Sequence, residues 1–150
     1  MTDEFRGLLQ EFIRRFGLLA GDRTPCGKPL ASSDAHALML LLDAGEEGLL
    51  SSALAVRLGI DKSTASRVVG RLTDAGHIAA APSTDDARAK PIRLTKKGIR
   101  VANEVQHASR DRFALLLENV TPRRRRDVVD ALQELVSALE KMTSTTEDKE

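Results

Sequence analysis

The sequence predicts a mainly α-helical chain with one small β-hairpin, an α+β arrangement, and three observations carry that prediction. Apolar residues recur at helical spacing through most of the 150 positions. Between residues 77 and 94 that period gives way to two short strand-like runs separated by polar turn formers. Residues suited to stopping or starting helices (Gly59, Asp61, Thr95, Thr121-Pro122) fall where the periodic stretches meet.

Phe5, Leu8, Leu9, Phe12, Phe16 and Leu19 form the stripe of a first helix within residues 3–20 and hold three of the four phenylalanines. A second, strongly apolar helix begins around Asp34-Ala35-His36-Ala37-Leu38. A third, capped by Ser51 or Ser52, turns Leu54, Ala55 and Leu58 inward and Arg57 outward. Gly59 ends it in the left-handed conformation, Ile60 plugs the turn, and Asp61 caps the fourth helix. That helix runs from Lys62 to about Ala75, with Ala65, Val68, Val69 and Leu72 as its buried stripe. Its other side shows Ser63, Arg67, Gly70, Arg71 and Asp74, flanked by Thr64 and Ser66.

His77–Ala81 and Ile92-Arg93-Leu94 are the strands of a hairpin too small to stand alone. Arg88 and Lys90 lie near its tip. Thr95 caps a long helix from Lys96 to about Asn119, and Thr121-Pro122 breaks and restarts the chain as a last helix to about Met142. Arg123 to Arg126 read as its solvated start, with Asp127 and Asp130 one turn on as partners. Residues 143–150 have no apolar side chain after Met142 and are expected to form a flexible tail.

A short helix, a turn, a helix with a small and basic outer face, and a charged hairpin make a winged helix-turn-helix pattern suited to duplex DNA. Hydroxyls near the start of the fourth helix permit a close approach to the major-groove floor. Two arginines one turn apart reach guanine edges or phosphates. Arg88 and Lys90 are offered to a phosphate backbone or a narrow minor groove. The expected DNA contacts are therefore Ser63, Thr64, Ser66, Arg67, Arg71, Arg88 and Lys90.

From Leu54 to Gly98 the chain resembles the MarR (multiple-antibiotic-resistance regulator) family of bacterial transcription factors. The resemblance rests on residues 61–78 (DKSTASRVVGRLTDAGHI), the wing pair Asp86-x-Arg88, and Leu94-Thr95-x-x-Gly98. It implies a recognition helix in the major groove, Arg88 in the minor groove, and a repressor. It also points to two kinds of sensor. Organic-hydroperoxide sensors of the family use a reactive cysteine, here only Cys26, although this chain lacks the tyrosines that assist it. Zinc-sensing members take ligands from the linker, second helix and long helix, which here offer Cys26, His36 and His107, with Glu104 and Asp111 beside the last. A small organic effector leaves no motif and is the favoured signal.

Charge agrees with this layout. The net charge is only +1, but residues 1–50 carry 5 basic and 8 acidic groups (−3), residues 51–100 carry 10 and 4 (+6), and residues 101–150 carry 8 and 10 (−2). The positive charge sits on the reading head. No 18-residue apolar run and an acidic start predict a cytoplasmic protein with no membrane partner. No phosphate loop, nucleophile elbow or paired histidine motif supports an enzyme. A winged helix that binds protein instead of DNA is the rival reading, and it predicts apolar residues where Arg67, Arg71 and Arg88 stand. The expected organisation is one domain over residues 1–150. Its DNA-binding lobe spans 32–98, and helices from 3–20 and 96–142 intertwine in a homodimer that reads an inverted repeat.

Overall fold

The computed structural model describes residues 1–80 and 90–147, with side chains through residue 144. The elements run α1 (Thr2–Phe16), α2 (Ser32–Ala44), α3 (Ser51–Leu58), α4 (Lys62–Asp74), β1 (Ile78–Ala80), β2 (Ile92–Leu94), α5 (Lys96–Glu118) and α6 (Arg125–Glu147). One-turn 3-10 helices occupy Gly45–Glu47 and Pro122–Arg124. The predicted fold class, mainly α with a hairpin wing, is the observed one. The chain divides into two compact units, Met1–Arg112 and Phe113–Glu150.

In the first unit, Leu38 and Leu41 of α2, Leu54 of α3, Val68 and Leu72 of α4, Ile78 and Ile92 of the strands and Ala102 of α5 close one core. Each fully buried leucine contributes about 1.5–3 kcal/mol relative to exposure. The helix-turn-helix is set by local chemistry. Gly59 (φ 65°) closes α3 while Ile60 N donates to the Ala55 carbonyl (3.1 Å), so the carbonyls left open at the helix end find partners. Asp61 then caps α4 by accepting from Thr64 N at 2.8 Å. The serines expected to cap α3 do not: Leu50 holds the extended cap position, no side chain bonds the end, and Ser51 and Ser52 form the first turn.

Gly76 (φ 72°) ends α4, with His77 N donating to Leu72 O (2.9 Å), and the chain enters β1. β1 and β2 pair antiparallel, Ile78 opposite Leu94 and Ala80 opposite Ile92. Leu49 adds a third, one-residue rung by exchanging backbone bonds with Ile92 (3.0 and 2.7 Å), a pairing the hairpin pattern alone does not announce. Thr95 joins sheet to α5. Its amide donates to His77 O (2.9 Å), its hydroxyl donates to Gly76 O (2.7 Å), and the same hydroxyl accepts from Gly98 N (3.0 Å) as an N-cap. Gly98 lies so close to the His77 carbonyl that a β-carbon there has no room.

Three boundaries differ from expectation. α1 stops at Phe16, before the predicted residue 20, because Gly17 adopts φ 87°. The Pro122 restart begins as a 3-10 turn before becoming α-helical at Arg125. α6 continues to Glu147, past Met142 and through the first residues assigned to a tail, with Thr143 and Ser144 hydroxyls bonded to the Leu139 and Glu140 carbonyls (both 3.0 Å). In the second unit Arg125 donates to the carbonyls of Glu118 (3.0 Å) and Val120 (3.2 Å), closing the end of α5. Arg124 pairs with Asp127 (3.0 Å) and Arg126 with Asp130 (2.9 Å), the partners expected from the i,i+3 and i,i+4 spacing.

Candidate nucleic-acid interface

α4 presents one buried stripe (Ala65, Val68, Leu72) to the core, and this fixes which residues face out. Ser63, Ser66 and Arg67 are exposed in its first two turns. Thr64 is half-buried and committed locally: its hydroxyl donates to Asp61 Oδ2 (2.7 Å) and accepts from Arg67 Nη2 at 3.3 Å. Those bonds from Thr64 hold the Asp61 carboxyl below its usual pKa, so the cap stays ionised near neutral pH. Gly70 is exposed, and a β-carbon built there meets nothing within 4 Å. Neighbouring elements therefore do not require glycine at this position.

Arg71 stands apart from the group to which its sequence position assigned it. Its Nε donates to Asp34 Oδ2 at 3.0 Å and its Nη2 to Oδ1 at 2.5 Å, a two-pronged ion pair joining α4 to the start of α2. The Arg71 side chain is 50% exposed and that of Asp34 only 8%. The hydrogen bonds it donates to Asp34 raise the guanidinium's pKa, so Arg71 stays charged. Arg71, expected among the DNA contacts, ties α4 to α2 through this pair while half of its side chain remains exposed. Asp34 is the partner that sequence reasoning missed. Its one signal was an acid at the head of an otherwise apolar helix.

On the wing, Lys90 is exposed just before β2, and Arg88 lies outside the described residues. Behind it, His77 is 8% exposed and its Nδ1 has no hydrogen-bond partner. Burial, and then the charge of Lys97, push its pKa below the ordinary histidine value, with Asp34 opposing. Lys97 Nζ donates to Ala75 O (2.7 Å), a cation at the C-terminal end of α4 where the helix dipole favours one.

The sensor candidates are not brought together. Cys26 is half-buried with Sγ 3.0 Å from Thr24 Oγ1, in a turn where Lys28 N also donates to that hydroxyl (2.9 Å). His36 is exposed on α2 and His107 exposed on α5. Among the described residues no three His, Cys, Asp or Glu side chains lie together as metal ligands. Glu104, expected beside His107, faces Lys28 at 3.6 Å. The proposed zinc set Cys26, His36 and His107 is thus not gathered among the described residues.

A capped recognition helix behind a shorter helix, with a hairpin wing closed onto the following helix, defines a winged helix-turn-helix protein. The sequence model of the MarR family matches residues 29–89, and over this stretch the chain is similar to that family. No curated protein matches the chain. Among solved structures, a MarR transcriptional regulator from Methanosarcina mazei Go1 is 25% identical with a TM-score of 0.72, covering 93% of this chain and 99% of that one. ZitR of Lactococcus lactis, a zinc-responsive MarR family member, is 20% identical (TM-score 0.64; 92% and 98% covered) and shares the fold. So does S. aureus MepR in its DNA complex, 18% identical (TM-score 0.68; 91% and 96% covered). Among the described residues, no helix is long and apolar enough to cross a membrane.

Proposed function

We propose that the chain is a sequence-specific, double-stranded-DNA-binding transcriptional regulator. In this reading it is a repressor that binds an inverted repeat as a homodimer in the cytoplasm and is released by a small organic effector. The observation that carries the reading is the exposed face of α4. Ser63, Ser66 and Arg67 project from a helix whose start is capped and whose far end is clamped, in the chain third that holds the +6 charge. Gly70 supports it: an exposed helical glycine costs about 1 kcal/mol against alanine. The need for so small a residue is met by a groove floor pressed against α4. Ser63, Ser66 and Arg67 then read base edges, with Thr64 holding Arg67. Arg88 and Lys90 contact the backbone, and Arg71 positions the helix.

The rival reading, a protein-binding winged helix, lacks the apolar outer face it needs on α4. Fluorescence anisotropy on the DNA upstream of the protein's own coding region, at fixed salt, separates the two. Tight binding to one inverted repeat, lost on Arg67→Ala and kept on Arg126→Ala, is expected. Equal affinity for all duplexes, or an unchanged Arg67→Ala protein, overturns the major-groove assignment.

A further inference from the structure

His77 stands at the joint where α4, the hairpin and α5 meet, and the proposed DNA contacts make no use of its side chain. The ring is 8% exposed, and its Nδ1 has no hydrogen-bond partner among the described residues. Its backbone forms the joint. The His77 amide donates to Leu72 O near the end of α4 (2.9 Å). The His77 carbonyl accepts from the Thr95 amide (2.9 Å) and the Thr95 hydroxyl (3.2 Å), and Gly98 of α5 lies against it. The next residue, Ile78, is buried in the core and pairs with Leu94. A movement that brings the ring to water therefore pulls on bonds to α4, β2 and α5 together.

A neutral imidazole suits this seat and an imidazolium does not. In the charged ring both nitrogens are donors, so Nδ1 becomes part of a buried cation with an N–H that nothing accepts. The charged residues on the elements that meet here are Asp34 of α2, Arg71 and Asp74 of α4, Arg93 of β2, and Lys96 and Lys97 of α5. Burial acts most strongly against the imidazolium, Lys97 acts the same way, and Asp34 opposes them. Asp34 is already held by both prongs of Arg71, so it is not free to turn to the ring. Protonation is therefore relieved by bringing the ring to water, and that movement runs through the joint.

We propose that His77 is a proton-sensitive pin at the base of the wing: the neutral ring holds the hairpin against α4 and α5, and protonation releases it. Acid then weakens the wing's hold on DNA, a consequence that rests on the proposed function; the hinge itself does not. Amide hydrogen exchange followed by NMR on the full chain, between about pH 8 and about pH 5, tests the hinge without DNA. The reporters are the Thr95 and Gly98 amides, bonded to His77 O and Thr95 Oγ1, with buried Leu38 and Leu41 as references. Protection at the reporters, corrected for intrinsic exchange, is expected to fall by up to about tenfold per pH unit below about 6.5, until the lowered folded pKa is passed. It should stay well below that of Leu38 and Leu41, which marks an opening within the folded protein. His77→Phe keeps an aromatic ring that takes no proton and should hold both reporters level; His77→Gln repeats the test if phenylalanine does not fit. Anisotropy at fixed salt with the upstream duplex then reads the coupling. Wild-type affinity should fall on acidification and that of His77→Phe should not, whereas added positive charge alone would strengthen binding. The proposal is overturned if Thr95 and Gly98 are protected as strongly as Leu38 and Leu41 at every pH, or if both variants keep the wild-type pH dependence. A protein that binds no duplex removes the proposed function and leaves the hinge result standing. One whose hinge opens while duplex affinity holds level overturns the link between the pin and the wing contact.

Discussion

At Gly98 a β-carbon would run into the carbonyl oxygen of His77, on backbone already used by Thr95. Gly98→Ala should therefore destabilise the protein by about 1–3 kcal/mol, the usual cost of forcing extra volume into a packed site, measurable as a lowered urea midpoint with unchanged slope. The Leu94-Thr95-x-x-Gly98 motif and the Thr95 cap were legible in the sequence, and the tie from Thr95 to Gly76 and His77 was not. Threonine ties strand to helix, and glycine lets the helix lie against that tie. Arg71 teaches the reverse. Spacing put it on the exposed side of α4, and the long side chain nevertheless bends back to Asp34, 37 residues away in sequence. Arg71→Ala should cost about 2 kcal/mol of stability, below the 3–5 for a fully buried pair because half the guanidinium is wet. In a double-mutant cycle Asp34→Ala should recover much of that cost. An Arg71→Ala protein that keeps full stability and loses only DNA affinity would restore it to the reading face. His77 gives a pH test whose sign follows from its lowered folded pKa. Below about 6.5 the unfolded chain binds a proton that the folded chain refuses, so stability should fall from there until the lowered value is passed, and level off below it. His77→Leu should flatten that part of the unfolding-versus-pH curve.

Whether an element can be read from sequence depended on whether its boundary chemistry is local. Gly59 and Asp61 fix the helix-turn-helix through bonds spanning three to five residues, and both were readable. The third rung at Leu49 and the clamp on α2 join residues far apart in sequence, and no local pattern encodes them. Serine's liking for caps was overridden at α3, where Leu50 already occupies the extended position. At the wing base, Thr95→Val keeps the shape and removes the hydroxyl that caps α5 and bonds the Gly76 carbonyl. A loss of about 1 kcal/mol is expected from the cap, with faster amide exchange at Gly98. Gly70 on α4 separates stability from function. Gly70→Ala should stabilise the helix by up to about 1 kcal/mol, since nothing in the chain crowds the new methyl. The same variant should weaken DNA binding if the groove floor approaches there. A more stable protein with unchanged DNA affinity would remove the close-approach argument.

Taken as a whole, the molecule has more apolar surface than its own core covers. In the first unit Phe5, Leu8, Leu9 and Phe12 of α1 remain exposed, and only Phe16 of that stripe is buried. In the second, Val128, Val129, Leu132, Leu135, Val136 and Leu139 are all exposed along α6. Exposed patches on this scale mark an interaction surface, and in each unit the pattern repeats at helical spacing. The periodicity was plain in the sequence. What covers it was not, because an amphipathic stripe looks the same whether its own chain or a second copy packs on it. The proposed homodimer gives the stripes a partner and supplies the second head that an inverted repeat requires. Leu132→Glu with Leu139→Glu should shift sedimentation from dimer toward monomer while α4 and its cap stay intact. Such a protein makes about half as many phosphate contacts, so the slope of log affinity against log salt should fall to roughly half the wild-type value. Preference for an inverted repeat over a single half-site should vanish with it. A doubly substituted protein that still sediments as a dimer would place the interface elsewhere. One that becomes monomeric yet keeps the full salt slope and its preference for the repeat would show that a single head suffices, and the two-headed mechanism would fall.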